Sequence, residues 1–194
     1  MTKTDVMCIK MIGENLERFA GETVRGKVME GSGQITAGTS KSKVAKWVKD
    51  AMDRLDALAD ERTKGQIMEN CGYICASRNT KVIRDAKSRR RKHKSIDDFL
   101  AAEQRNPVPG TRLEREGDVI SQYYTPRSPP YSIRCYCGLF RSTDDSLVVS
   151  PTYCHCSKGF VKKWWETVLE RPLRVELLQS AISGAQECKF AIYL

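Results

Sequence analysis

A chain of 194 residues, 40% hydrophobic and 29% charged, has the make-up of a globular protein able to bury its own core, which excludes a disordered or fibrous chain. No window approaches the roughly 18 consecutive apolar residues that a membrane helix needs, and the start MTKTDVMCIKMIGENLERF lacks the unbroken apolar stretch of a signal peptide. The formal net charge of +9 is concentrated in one place: between Lys81 and Lys94 stand eight basic residues against Asp85 alone, while the other 25 basic and 23 acidic residues nearly balance.

Helical patterns fill the first hundred residues and strand patterns the remainder. That segregation indicates an α+β fold, with N-terminal helices packed on a C-terminal antiparallel sheet and one helix inserted before the last hairpin. Residues 14–29 carry a weak helical pattern, and the Gly and Ser of GSGQITAGTSKS mark a loop. From Ser42 to Asp60 the apolar set Val44, Trp47, Val48, Ala51, Met52, Leu55 and Leu58 recurs at three- and four-residue spacing, the signature of an amphipathic helix. A further helix over Arg62 to Ser77 puts Cys71 and Cys75 one turn apart beside Met68. The basic run that follows continues as helix or frays, and is expected to be exposed and peripheral to function, with disorder left open. Ser95 reads as the N-cap of IDDFLAAEQ, whose acids suit a first turn, and the helix should end before Asn106-Pro107.

Beyond PVPGT, the segments VISQYYT, YSIRCYCGLF and SLVVSPTYC read as strands, with PRSPP and STDDS as turns. In the second, Tyr131, Ile133, Cys135, Cys137 and Leu139 share a face by the two-residue period. SKGFVKKWWETVLER has helical spacing, with Phe160, Val161, Trp164, Val168 and Leu169 as its buried stripe, and only one of the adjacent Trp164 and Trp165 can face a core. PLRVELL and CKFAIYL close the fold as a hairpin. The expected organisation is a single domain over 1–194, with a mainly helical half at 1–105 and a strand-rich, cysteine-containing half at 115–194.

Without export the eight cysteines belong to a reducing cytosol, so a cytoplasmic protein is expected. Cys8, Cys71, Cys75, Cys135, Cys137, Cys154, Cys156 and Cys188 then read as buried thiols, metal ligands or reactive groups rather than disulfides. Cys135-Tyr-Cys137, Cys154-His-Cys156 and Cys188 bring five thiols and His155 within 54 residues of sequence. Thiolates suit zinc, which takes four N or S ligands at about 2.0–2.3 Å. Cys135, Cys137, Cys154, Cys156 and Cys188 are therefore the candidate metal ligands, and zinc the candidate cofactor. The competing reading is a set of inert core thiols. Were the chain an enzyme, Cys156 at a helix N-terminus would be the nucleophile, its pKa lowered by the positive helix end, and His155 the base.

The segment SPTYCHCSKGFVKKWWETVLERPLRVELLQSAISGAQECKFAIYL resembles the C-terminal part of the 4-vinyl reductase family, related to the sensory domains of phenol-responsive activators. It is similar also to the family named for L-2-amino-thiazoline-4-carboxylic acid hydrolase. The features that carry the resemblance are Cys154, Gly159-Phe160, the stretch Pro172 to Leu178, Gly184 and Cys188-Lys-Phe. The resemblance implies that Cys154 and Cys188 are zinc thiolates. It puts a third thiolate at Ser180 and an acidic ligand at Leu177 beside Glu176, so two of four ligands are missing or displaced. It also implies a compact domain with an apolar pocket for a small molecule, which Cys71 and Cys75 could line. The leading expectation is a small-molecule-binding or sensing protein with a structural, zinc-binding cysteine site. The alternatives are a thiol- or metal-dependent hydrolase of a small thiazoline-like or thioester substrate, and a nucleic-acid-binding protein that uses 81–94. A small-molecule ligand is the expected partner, a homodimer stays open, and membrane and nucleic acid stand outside the leading reading.

Overall fold

A computed structural model describes residues 3–194, with side chains from Met7 onward. Five helices come first: α1 (Lys3–Val28), α2 (Lys41–Leu58), α3 (Glu61–Arg78), α4 (Thr80–Arg90) and α5 (Ile96–Arg105). Strands β1 (Thr111–Glu116) and β2 (Val119–Tyr124) follow, then α6 (His155–Leu169), β3 (Arg174–Gln179) and β4 (Cys188–Tyr193). The sheet is antiparallel in the order β1-β2-β4-β3, so the α+β segregation and the helix before the closing hairpin are as the sequence pattern indicates.

Local chemistry sets the helix ends. Ser40 accepts from the Lys43 amide at α2, Asp60 from the Thr63 amide at α3 and Ser95 from the Asp98 amide at α5, each filling one of the donors that a first turn leaves open. Helix α1 is broken at Gly21, whose φ of 83° a side-chain-bearing residue rarely adopts. Of the two outcomes expected for the basic segment, helix holds as far as Arg90. Ala86 is buried, Arg89 forms a two-pronged pair with the buried Glu103, and Lys87 reaches Glu170 at 2.9 Å.

The segments Tyr131–Phe140 and Ser146–Cys154 are not strands. Turn hydrogen bonds such as Ile133 to Pro126 O and Phe140 to Cys137 O fold the first back on itself. A short 3-10 turn, Pro151–Cys154, leads the second straight into α6. The strand missed by the pattern is β1, TRLERE, an exposed edge with almost no apolar alternation.

Two apolar cores result. One joins α1, α2 and α3 to the 135–156 segment, through Leu16, Met52, Leu55, Ile67, Met68, Phe140 and Tyr153. The other lies under the sheet, where register pairs Ile120 with Ile192, Gln122 with Phe190 and Val175 with Ile192, and Phe99, Val161 and Trp165 cover that face. Trp165, not Trp164, is the fully buried member of the pair, and its indole N–H donates to Gln122 Oε1 at 2.6 Å. Helix α6 serves both cores, because its first turns press on α3. An ideal Cβ on Gly72 would stand 1.7 Å from Cys156 O, and one on Gly159 would stand 1.8 Å from Glu69 O. Each glycine admits the other helix's backbone, and this reciprocal contact fixes the depth at which α6 carries its cysteines.

Candidate functional site

The α3–α6 crossing gathers thiols from four separate stretches of chain. Cys71 and Cys75 come from α3, Cys156 from the first turn of α6, Cys8 from α1 and Cys137 from the loop before the 3-10 turn. All lie in or against the first core, and the Cys156 thiol feels Cys137, Cys71, Cys75 and Cys8. Tyr153, fully buried, places its hydroxyl 3.1 Å from Cys137 Sγ. Asn15 donates to Met11 O at 2.8 Å and to Cys71 Sγ at 3.3 Å, while accepting from Asn70 at 2.5 Å.

A second group adjoins it on the sheet side. Cys154 Sγ lies 2.7 Å from Ser180 Oγ, and Cys188 Sγ accepts from the Ala181 amide at 3.4 Å. Cys135 Sγ accepts from the Cys137 amide at 3.4 Å. Cys154 feels Cys188, Cys135 and Cys137, so Cys137 belongs to both groups. The chain thus builds a thiol seam running from α1 to the closing hairpin.

The seam holds its protons. Burial pushes Cys71 and Cys135 each up to about 12 from an ordinary 9.0. Burial also raises Cys154 and Cys188, and carries Cys156 well above its ordinary value, with four neighbouring thiols adding to the effect. The expectation that the start of α6 would lower the Cys156 pKa is therefore overturned: loss of water outweighs the helix end. His155 does not pair with it. Burial and the charge of Lys158 lead in lowering its pKa, against the opposing pull of Glu69 and Glu61, and no thiol is among the groups that set it. Its Nδ1 is buried with no hydrogen-bond partner.

Around His155 lies a polar girdle. Asp56 accepts from Thr152 Oγ1 at 2.6 Å and pairs with the buried Lys64 at 3.1 Å, while Glu69 pairs with Lys158 at 2.6 Å and Lys162 at 3.3 Å. These contacts bind α2, α3 and α6 together.

The zinc expectation is corrected on the donors themselves. Among the described residues, no three His, Cys, Asp or Glu side chains are arranged to hold a metal ion. The two positions at issue, Ser180 and Leu177, supply a hydroxyl bonded to Cys154 and an apolar side chain packed between the cores, and Glu176 turns away to accept from Tyr193. Sequence reasoning passed over Tyr153, Asn15 and Gly72, and named Cys8 and Gly159 without placing them at this crossing. The mid-helix Gly72, flanked by Cys71 and Cys75, was the available signal.

A family model described as a family of unknown function (DUF6144) matches residues 1–194. No curated protein matches significantly. Similar solved structures include a mutant H-NOX domain from Shewanella oneidensis in the Fe(II)CO ligation state, at 16% identity over 96% of each chain with a TM-score of 0.47. Another is an H-NOX protein from S. oneidensis in the Fe(II)NO ligation state, at 13% identity over 96% of this chain and 97% of that one, with a TM-score of 0.44. At these levels the likeness assigns no activity or ligand. Neither finding supports the 4-vinyl reductase or thiazoline hydrolase resemblance, which is set aside.

Proposed function

Because the chain belongs to DUF6144, a family of unknown function, its role has to be argued from its own residues, and we propose that it is a small-molecule-binding or sensing protein whose thiol seam binds rather than catalyses. The observation that carries this reading is the neutral seam itself: thiols drawn from α1, α3, α6 and the 135–154 segment share one apolar wall with Met68, Leu139 and Phe140. Proton-bearing thiols are weak nucleophiles but polarisable surfaces, suited to a small uncharged ligand. His155 faces charges on α3 and α6 instead of the thiols, so a Cys-His hydrolase lacks its base. In this reading the chain is one domain, joined across its two cores by α6, and works in the reducing cytoplasm. No described helix is long and apolar enough to cross a membrane.

The test combines ligand protection with turnover. Small uncharged probes such as indole and phenol are screened for a rise in Tm, and hits are followed by iodoacetamide labelling with mass-spectrometric readout. Binding should slow labelling of the half-buried thiols of the seam, of which Cys75 reacts first and Cys156 more slowly. Hits that leave both rates unchanged contradict the reading. So does turnover of a simple thioester that disappears in a Cys156→Ser variant of unaltered Tm.

A further inference from the structure

At the turn that carries Asp145, two arginines share one carboxylate. Asp145, on an exposed turn with its side chain 63% accessible, takes a two-pronged pair from Arg127 at 2.7 and 2.9 Å. Its Oδ1 also stands 3.4 Å from Arg134 Nε, without hydrogen-bond geometry. Arg134 is only 5% exposed. Its two terminal nitrogens are held by Thr143 Oγ1 at 3.1 Å, by the Asp144 and Leu147 carbonyls and by Ile182 O at 3.5 Å.

Carbonyls orient a guanidinium but leave its charge in place. The Nε atoms of both Arg127 and Arg134 are buried with no hydrogen-bond partner, which is a costly state for a cationic donor. The adjoining acid, Asp144, is committed to its own turn through the Ser146 amide at 2.6 Å. A groove of about 500 Å³ opens at this place, lined by the two arginines with Arg141, Ser132, Ser142 and Gln186 among others. A second, of about 320 Å³, lies beside it against residues 181–186, and Asp145 borders both.

We propose that Arg127, Arg134 and Arg141 form a binding site for the phosphate group of a phosphorylated small molecule, which takes the place of the Asp145 carboxylate. In the resident state three arginines face a single negative charge, and a dianion in the carboxylate's place offsets two of the three. Planar guanidinium forks and flanking hydroxyls suit tetrahedral oxyanions. Asp145 is the resident anion, held in its charged form chiefly by the Arg127 hydrogen bond, and it rides on a turn able to swing away. The site is independent of the thiol seam, so either can fail without the other.

The experiment measures binding of inorganic phosphate and phenyl phosphate to the full chain by calorimetry at constant ionic strength. Three variants accompany the wild type: Arg141→Gln, Asp145→Asn and, on the basic helix α4, Arg84→Gln. Phosphate should bind saturably and weaken about tenfold in Arg141→Gln, roughly the loss of one charge-assisted contact. It should tighten in Asp145→Asn, where the competing charge is gone, and stay unchanged in Arg84→Gln. Vesicles of phosphatidylcholine with and without phosphatidic acid distinguish the source of the group. Sedimentation of the protein with phosphatidic acid, lost in Arg141→Gln, supports a lipid-borne phosphate at this site, and binding of phenyl phosphate alone supports a soluble one. Absence of saturable binding, equal affinity in Arg141→Gln, or a loss confined to Arg84→Gln overturns the site. Weaker or equal affinity in Asp145→Asn overturns the exchange.

Discussion

Each buried thiol of the seam couples folding to alkali. Cys71 and Cys135 are pushed up to about 12 from an ordinary 9.0, chiefly by loss of water. Below pH 9 both folded and unfolded chains keep these protons, and the thiols make no pH-dependent contribution. Between 9 and 12 the unfolded chain releases them while the folded chain retains them, so stability must fall as pH rises, by about 1.4 kcal/mol per pH unit for each such thiol. Urea unfolding in a reducing buffer should show stability level from pH 7.5 to 8.5 and lower by about 2–4 kcal/mol at pH 10.5. A curve that stays flat to pH 10.5 would mean that water reaches Cys71 and Cys135 in the native state. His155 illustrates what adjacency conceals at this scale. Next to Cys156 in sequence it looks like a partner, yet successive residues on a helix point about 100° apart. The imidazole joins the charges of α3 while the thiol enters the core.

At the scale of elements, the crossing of α3 and α6 sets the geometry of everything around it. Gly72→Ala or Gly159→Ala places a methyl inside a facing carbonyl, and the helices must separate. Thermal or denaturant unfolding should report a loss of about 2–3 kcal/mol or more, the range of overpacked cores. Gly26→Ala is the matched control, since a Cβ there meets nothing within 4 Å and the gain in helix propensity should add about 0.5–1 kcal/mol. Equal effects at the three positions would show that the crossing is loose.

α2, α3 and α5 were legible in the sequence because each joins periodicity to a capped start, at Ser40, Asp60 and Ser95, whereas α4 and α6 begin with no side-chain cap and α1 starts at Lys3, ahead of the 14–29 pattern. β3 and β4 were legible because their alternating residues line one buried face. The 131–140 segment misled for the same reason. Tyr131, Ile133, Cys135, Cys137 and Leu139 alternate like a strand, but no neighbouring strand offers its edge, and turn bonds together with the Arg134 anchor hold the segment as a loop. β1 went unseen because its partner β2, rather than a hydrophobic face, holds it in place. The thiols of the two C-x-C pairs could be listed from the sequence, but their meeting with Cys8 and Cys71 depends on helix packing that no local pattern encodes.

For the whole molecule, the proposal of one domain has a direct consequence. Trp47 packs against the helical core and Trp165 lies in the core beneath the sheet, while α6 is common to both. If that shared helix makes the cores one cooperative unit, then single-tryptophan variants reporting on Trp47 or Trp165 should unfold at the same urea concentration, coincident with the loss of helical circular dichroism. Two separated midpoints would divide the chain into units and sink the one-domain reading. The basic segment fits the cooperative picture, since Arg89 with Glu103 and Lys87 with Glu170 tie α4 to α5 and to the end of α6. Two of its eight basic residues thus join it to neighbouring elements.

The reciprocal glycines also constrain how this sequence can change over generations. When two side chains collide, a shrinking substitution at one can repair an enlargement at the other. Here the object facing each glycine is main chain, Cys156 O on one side and Glu69 O on the other, and main chain has no smaller allele. An inherited change at residue 72 or 159 therefore has no compensating partner across the interface, and lineages that keep the seam must keep both glycines.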